Sequence, residues 1–256
     1  LTRVVHVATL AAQAAGDFLM KSFGHIRTIA RKPDSSLVTN VDTEVEAIVV
    51  EHIMREFPDH RILAEERGGE GEGSGCTWII DPLDGTHNFI RGIPIFGTSI
   101  GVVCGKAFVA GVIYMPSEKQ MYTSYQGGGA YKNGVPIHVS ATSALNECSL
   151  SYDSTFRDGV PKRATLLKQV GEKVFNVRML GCSTRVMTYI AEGVLDGAVE
   201  FDSKPWDFAA GVCLIQEAGG VVTGFEGEPL PIQSSPYLAS NALLHGELLA
   251  QVKHAL

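Results

Sequence analysis

Trp78-Ile-Ile-Asp-Pro-Leu-Asp-Gly-Thr-His-Asn-Phe89 is the stretch on which the fold turns. An apolar run ends in two carboxylates, Asp81 and Asp84. Pro82 and Leu83 lie between them, and Gly85 and Thr86 follow directly. A buried strand that delivers two acids to its C-terminal edge is costly unless a cationic partner waits there. Carboxylate oxygens, the free backbone carbonyl of Leu83 and a tight turn that converges them suit a divalent cation. Asp-Pro and Asp-Gly are also ordinary turn formers, because Pro fixes φ and Gly permits positive φ. By itself the stretch reads as a strand and a turn, so the rest of the chain decides.

The 256 residues suffice for one large domain or two small ones with a sizeable core. An apolar content of 45% and a charged content of 19% belong to a soluble globular protein, and 28 glycines call for many turns. The net charge of −7 argues against nucleic acid as a partner, which needs a basic face. An acidic protein that handles an anionic substrate needs cations to reconcile the two signs. No apolar run approaches the ~20 residues that span a bilayer, so no membrane partner is expected. Arg3 and the amphipathic pattern after it do not read as a signal peptide. The five cysteines, 76, 104, 148, 182 and 213, are odd in number and form no Cys-x-x-Cys. They are expected to be reduced, mostly buried thiols of a cytoplasmic protein. Eight histidines without a His-x-x-x-His pair argue against zinc.

Upstream of the quoted stretch, apolar residues recur at helical spacing over 2–23, and Gly24 is the stop. A second helix is expected over 40–57, capped by Thr39 or Asn40, with Val41, Val45, Ile48, Val49 and Ile53 buried. Asp42 falls in its first turn, where the helix dipole favours an acid, and that alone explains it. Residues 62–64 form a short strand ending in Glu65 and Glu66. Residues 32–36 read as a polar loop and 67–75 as a mobile surface loop. Downstream, strands over 98–103 and 107–114 lead into a meander at 121–125 and 130–131. The glycines at 127–129 lack the Lys-Ser/Thr of a phosphate loop and read as a turn. From Ser149, strands at 150–152, 176–178, 197–201 and 221–222 alternate with helices at 161–170, 183–192, 207–218 and 243–256. No linker separates the halves. The expectation is a single domain, 1–256, with subdomains of about 1–145 and 146–256.

Glu65, Asp81 and Asp84 all follow apolar strands, and Asp207 opens a helix after Lys204-Pro-Trp206. Two carboxylates ~4 Å apart repel by ~4 kcal/mol at an effective dielectric near 20. Four together require bound cations or shifted pKa values. An all-oxygen set points to Mg²⁺.

Asp81-Pro-Leu-Asp-Gly-Thr-His-Asn-Phe89 resembles the first signature of the inositol monophosphatase family. Trp206-Asp-Phe-Ala-Ala-Gly211, with Glu217-Ala-Gly-Gly220, resembles its second. Ala64-Glu-Glu66 resembles the paired glutamates upstream, and Leu37-Val-Thr-Asn-Val-Asp42 the segment with an upstream Asp. Four such motifs in family order across nearly the whole chain are specific. The resemblance implies an α/β fold, the five-layer α-β-α-β-α sandwich of sugar phosphatases. It implies a phosphomonoesterase that uses two to three Mg²⁺. Glu65, Asp81 and the Leu83 carbonyl would hold one ion; Asp81, Asp84 and Asp207 would hold another. Thr86 and Asp42 would activate the attacking water, with Glu66 behind them. Asp84, Gly85, Thr86, Gly181, Cys182, Ser183, Glu200 and Asp207 would line the substrate, an inositol monophosphate or similar small polyol or sugar phosphate. A homodimer and lithium inhibition are also implied.

Where many members carry Gly-Ser/Thr-Ala-Ala, Gly181-Cys-Ser-Thr-Arg185 stands here, which puts the inositol substrate in question. Arg185 is open to two readings: a contact to a second anionic group, or a solvated charge. Fructose-1,6-bisphosphatase, histidinol-phosphate phosphatase and 3′-phosphoadenosine-5′-phosphate phosphatase activities are alternatives in the same superfamily. A catalytically silent phosphate-binding regulator is the alternative outside it.

Overall fold

The computed structural model describes residues 1–26, 28–32, 37–70, 75–156 and 159–256. The N-terminal apolar stripe becomes α1 (Thr2–Ser22), with Val7, Ala8, Ala11, Ala12, Ala15 and Leu19 buried. Its small side chains let the helix lie close to its neighbours. Gly24 takes φ +81°, a turn that L residues resist, and ends it. β1 (Ile29–Arg31) pairs antiparallel with β2 (Leu37–Thr39). Lys32 is described, but 33–36 of the expected polar loop lie outside the described residues. Thr39 ends β2 and caps α2 (Asn40–Glu56), accepting the Val41 N–H at 3.1 Å. The Asp42 side chain accepts the Thr39 N–H in return at 2.8 Å, a capping box.

β3 (Arg61–Ala64) runs into β4 (Gly68–Glu70), an antiparallel edge strand. The loop expected at 67–75 is thus strand over 68–70, and 71–74 lie outside the described residues. The backbone groups of β3 on that side need partners, and two glycines do not prevent the pairing. β5 (Cys76–Asp84) lies parallel to β3, and α3 (Thr86–Ile90) follows it. β6 (Gly97–Cys104), β7 (Ala107–Met115), β8 (Gln120–Tyr125), β9 (Gly129–Lys132) and β10 (Val135–Pro136) complete an antiparallel meander. The eight-stranded order is β10-β9-β8-β7-β6-β5-β3-β4.

The second half begins with β11 (Ser149–Tyr152), α4 (Val160–Gly171), β12 (Asn176–Arg178) and α5 (Ser183–Ala191). β13 (Gly197–Ser203), α6 (Pro205–Glu217), β14 (Gly220–Thr223), β15 (Ser235–Asn241) and α7 (His245–Ala255) follow. The five-stranded order is β12-β11-β13-β15-β14, with β11 parallel to β12 and β13, and β15 antiparallel to β13 and β14. β15 is absent from the expected elements. α6 starts at Pro205, two residues earlier than its periodicity gives, because Pro suits a first helical turn. α7 starts at His245.

α1 and α2 cover the outer face of the large sheet, α5 and α6 fill the space between sheets, and α4 and α7 cover the small sheet. This is the five-layer α-β-α-β-α sandwich. α6 rests almost on the sheet backbone: a Cβ added at Gly111 would lie 2.2 Å from the Ala210 carbonyl oxygen. Among the described residues no helix is long and apolar enough to cross a membrane.

The cysteine expectation needs correction. Cys76 and Cys104 form a disulfide, and Cys148, Cys182 and Cys213 are free and buried. The two paired residues are widely spaced in sequence but sit opposite each other in the β5–β6 register, with Cα atoms 4.3 Å apart. Spacing alone does not reveal a cross-strand pair.

Candidate active site

Regular strand alternation would send Asp81 and Asp84 to opposite faces, since they are an odd number of residues apart. β5 avoids this with a bulge. Asp81 pairs with Ser99 and Asp84 with Gly97, so β5 spends one residue more than β6 over the same span. Pro82, which has no N–H to lose from the ladder, sits inside the bulge. The Thr98 hydroxyl donates to the Pro82 carbonyl at 2.9 Å, and the Leu83 N–H donates to Asp81 Oδ1 at 3.1 Å. Gly85 then turns the chain at φ +85°; a Cβ there would meet the Ile95 carbonyl oxygen at 2.8 Å. The amides of Gly85 and Thr86 open the short α3 beyond it.

The other acids arrive from separate elements. Glu65 follows β3, the parallel neighbour of β5, so both strands end on one side. Asp207 opens α6, its Oδ2 accepting the Lys204 N–H at 2.6 Å. Asp42, in the first turn of α2, is buried, with its Oδ1 3.1 Å from the Thr86 hydroxyl. That hydroxyl also lies 2.9 Å from the Leu83 carbonyl oxygen.

The electrostatics follow from this arrangement. Burial holds the Asp81 carboxyl well above the usual range, and Glu65, Asp84 and Asp207 push it further. Burial and then Asp84 do the same to Asp207. Burial also raises Asp42, against the hydrogen bonds from Thr39 and Thr86. Glu65 is raised by burial, against the pull of Lys32. Burial brings Glu66 up to about 7. Glu200, on β13, is raised by burial, then by Asp153 and Asp207.

Protein donors hold most of these carboxylates. Lys32 Nζ lies 2.7 Å from Glu65 Oε1 and 2.7 Å from Glu66 Oε1. Buried Glu46 accepts the Glu66 N–H at 2.8 Å and an Arg67 N–H at 2.8 Å, which fixes the chain just after Glu65. Among the described residues no three Asp, Glu, His or Cys side chains close into a ready coordination shell. The donor chemistry still fits a hard divalent cation. It is all oxygen, drawn from Glu65, Asp81, Asp84, Asp207 and the Leu83 carbonyl, and burial followed by repulsion from the neighbouring acids raises Asp81.

The segment before α5 is tied to the same floor. Asn88, on α3, donates to the carbonyls of Ile95 at 3.0 Å and Leu180 at 2.9 Å. This brings Gly181, Cys182 and Ser183 beside Asp84: the Cys182 Sγ is 3.2 Å from Asp84 Oδ2. Burial keeps that thiol protonated, pushed well above its usual range, with Asp84 adding to the effect. Asp153 accepts the Phe201 N–H at 3.2 Å and pairs with buried Arg163, which also pairs with Asp202 and holds the end of β13 near Glu200.

Arg185 fits neither expectation. It is fully buried, 2.6 Å from Glu118, hydrogen-bonded to Gln120 at 3.1 Å and stacked on the Tyr189 ring. α5 is sandwiched between sheets, so its side chain turns away from solvent into the layer. His87 is exposed, and Trp206 packs against Ile79, Val103 and Ala209. The turn at 127–129 donates two N–H groups to Glu217.

Sequence reasoning missed Lys32, Glu46 and Tyr237, and the hold of Thr184 on Asp84. Tyr237 faces Glu200 across the β13–β15 register, and its buried hydroxyl has no hydrogen-bond partner among the described residues. Recognising β15 from the apolar run at 237–239 would have found it.

An acid cluster at strand ends and a helix start, inside an α-β-α-β-α sandwich, defines a phosphatase of the sugar phosphatase class. The chain belongs to the inositol monophosphatase family, whose sequence pattern matches residues 1–256. It is 38% identical over 257 residues to the fructose-1,6-bisphosphatase/inositol-1-monophosphatase of Aquifex aeolicus, covering 99% of this chain and 96% of that protein. It is 34% identical over 261 residues to Nus factor SuhB of Escherichia coli K12, covering 99% and 97%. The crystal structure of extragenic suppressor protein suhB from Bartonella henselae superposes with a TM-score of 0.95 at 32% identity, covering 99% of this chain and all of that one.

Proposed function

We propose that the protein is a Mg²⁺-dependent phosphomonoesterase acting on inositol monophosphate or a similar small polyol or sugar phosphate. The observation that carries this is the gathering of Asp81, Glu65, Asp84 and Asp207 at the floor made by the β5 bulge, close enough to act on one another. Glu65, Asp81 and the Leu83 carbonyl would hold one cation. Asp81, Asp84 and Asp207 would hold a second, and a third would sit near Glu65. When bound, the cations neutralise the acid cluster and supply Lewis acidity for attack of water on phosphorus. The Thr86 hydroxyl would orient the attacking water and, as it receives that water's proton, pass its own to the Asp42 carboxylate, with Glu66 behind. The Gly85 and Thr86 N–H groups donate to the phosphate oxygens. Glu200 and the 181–183 segment contact the leaving alcohol. Lys32 pairs with Glu65 and Glu66 here, so a cation held by Glu65 would compete with it for that carboxylate. A homodimer in the cytoplasm and inhibition by lithium complete the proposal.

The Aquifex relative carries both activities in its name, which supports a small-polyol substrate and keeps fructose 1,6-bisphosphate beside inositol phosphate. Phosphate release is measured with Mg²⁺ on inositol 1-phosphate, fructose 1,6-bisphosphate, histidinol phosphate, 3′-phosphoadenosine 5′-phosphate and β-glycerophosphate. Turnover is expected to be fastest on inositol 1-phosphate or fructose 1,6-bisphosphate. No turnover on any of them, with Mg²⁺ still bound, would mean a silent phosphate-binding regulator.

A further inference from the structure

Asp84 is held from outside its own strand by the first residues of α5. Its Oδ2 accepts the Thr184 N–H at 2.5 Å and the Thr184 hydroxyl at 2.7 Å, with the Cys182 Sγ at 3.2 Å. The Cys182 Sγ and Thr184 Oγ1 are themselves 3.2 Å apart, so thiol, hydroxyl and amide close around one oxygen. α5 has no cap from its own N-cap residue, Cys182. Asp84, nearly a hundred residues earlier in the chain, supplies it. Among the described residues no donor is placed on Oδ1. Thr184 is fully buried, so its hydroxyl needs a partner, and Asp84 provides one.

We infer that Thr184, with the Cys182 thiol beside it, is a positioning residue that clamps Asp84 by Oδ2 and thereby sets the affinity of the site for its second divalent cation. The inference rests on the cation-dependent reading given above. Three donors on Oδ2 occupy that oxygen and leave Oδ1 as the ligand atom. They also fix the carboxylate plane, which a cation would otherwise have to order on binding. Partners behind a ligand typically change metal affinity 10–100-fold. The clamp couples α5 to the metal floor. The segment that opens α5, residues 181–183, also borders the leaving group, so cation affinity and substrate fit share one support.

The test is calorimetric titration of Mn²⁺, without substrate, into the cation-stripped full chain. Wild type is compared with Thr184→Val, Thr184→Ala, Thr184→Ser and Cys182→Ala, each checked for its circular dichroism spectrum. Thr184→Val removes the hydroxyl and keeps the volume. Wild type is expected to show at least two binding phases. In Thr184→Val the weaker phase is expected to lose about 10-fold or more in affinity, with the tighter phase unchanged. Thr184→Ala repeats the loss, Thr184→Ser restores the wild-type value, and Cys182→Ala shows a smaller loss, since a thiol is a weak donor. Equal binding by Thr184→Val, Thr184→Ala and wild type would overturn the clamp and leave the cation-dependent reading standing. So would a loss in Thr184→Ser as large as in Thr184→Val, which would assign the effect to the methyl group. Absence of any Mn²⁺ binding by wild type would overturn both.

Discussion

Asp81 bears a heavy electrostatic load: it is buried, and Glu65, Asp84 and Asp207 all act on it. A carboxyl raised in the folded state contributes stability below its unfolded pKa and loses it as pH rises through the folded value. The cation-free protein therefore carries a cost at neutral pH that bound cations would remove. Asp81→Asn is expected to stabilise the cation-free protein at pH 8 by roughly 1–4 kcal/mol, the range seen when buried ionic groups are replaced. It should also abolish the rise in Tm that Mg²⁺ gives to wild type. Thermal unfolding with EDTA and with Mg²⁺ measures both. Tyr237 poses the neutral counterpart, a buried hydroxyl without a partner among the described residues. Tyr237→Phe is expected to raise stability in urea by about 1 kcal/mol, since nothing is left unpaired. The ligand-type acids were legible in the sequence because carboxylates at the ends of apolar strands demand an explanation. Lys32 and Glu46 were not: each is an ordinary residue in its own segment and acquires a role only through contacts 20 to 33 positions away.

At the scale of elements, β5 decides most. Its bulge puts two acids on one side, and its first residue ties it to β6 through Cys76–Cys104. The sequence separation of 28 gives a loop-entropy estimate of about 3–4 kcal/mol. The double variant Cys76→Ser, Cys104→Ser is expected to lose up to that amount in chemical denaturation, with phosphatase activity retained, since neither residue touches the acid floor. Wild type in reductant should match it. Helices with strong stripes, such as α1 and α2, were plain from spacing, to within a residue or two. Glycines make β4 read as loop, and the apolar run at 237–239 is too short to announce β15; both owe their strand state to pairing with β3, β13 and β14. Arg185 shows the same limit on α5, where burial between sheets overrides the solvated position its charge would choose.

The whole molecule is an acidic, layered body whose eight- and five-stranded sheets share the layer of α5 and α6. The order of the motifs along the chain disclosed the layering, since they matched a family; periodicity by itself gave only two α/β halves. His245 links α7 to both strands of the β14–β15 pair, its Nε2 3.0 Å from the Thr223 hydroxyl and its Nδ1 2.9 Å from the Ser240 hydroxyl. Burial lowers its pKa below the usual 6.5. A depressed folded pKa contributes stability above the unfolded value and loses it as pH falls through the folded one. Stability is therefore expected to decline from about pH 6.5 downward, and His245→Asn to show a shallower decline between pH 7 and 5 in parallel melts.

The central claim is that the acid floor works only as a cation site for phosphate ester hydrolysis. Its most direct measurement is the initial rate of phosphate release from inositol 1-phosphate and fructose 1,6-bisphosphate as Mg²⁺ is titrated into EDTA-stripped protein, beside Asp84→Asn. The account predicts release by wild type that begins and saturates with Mg²⁺, and none from a folded Asp84→Asn. Release that persists in EDTA, or an unaltered rate in Asp84→Asn, would contradict it.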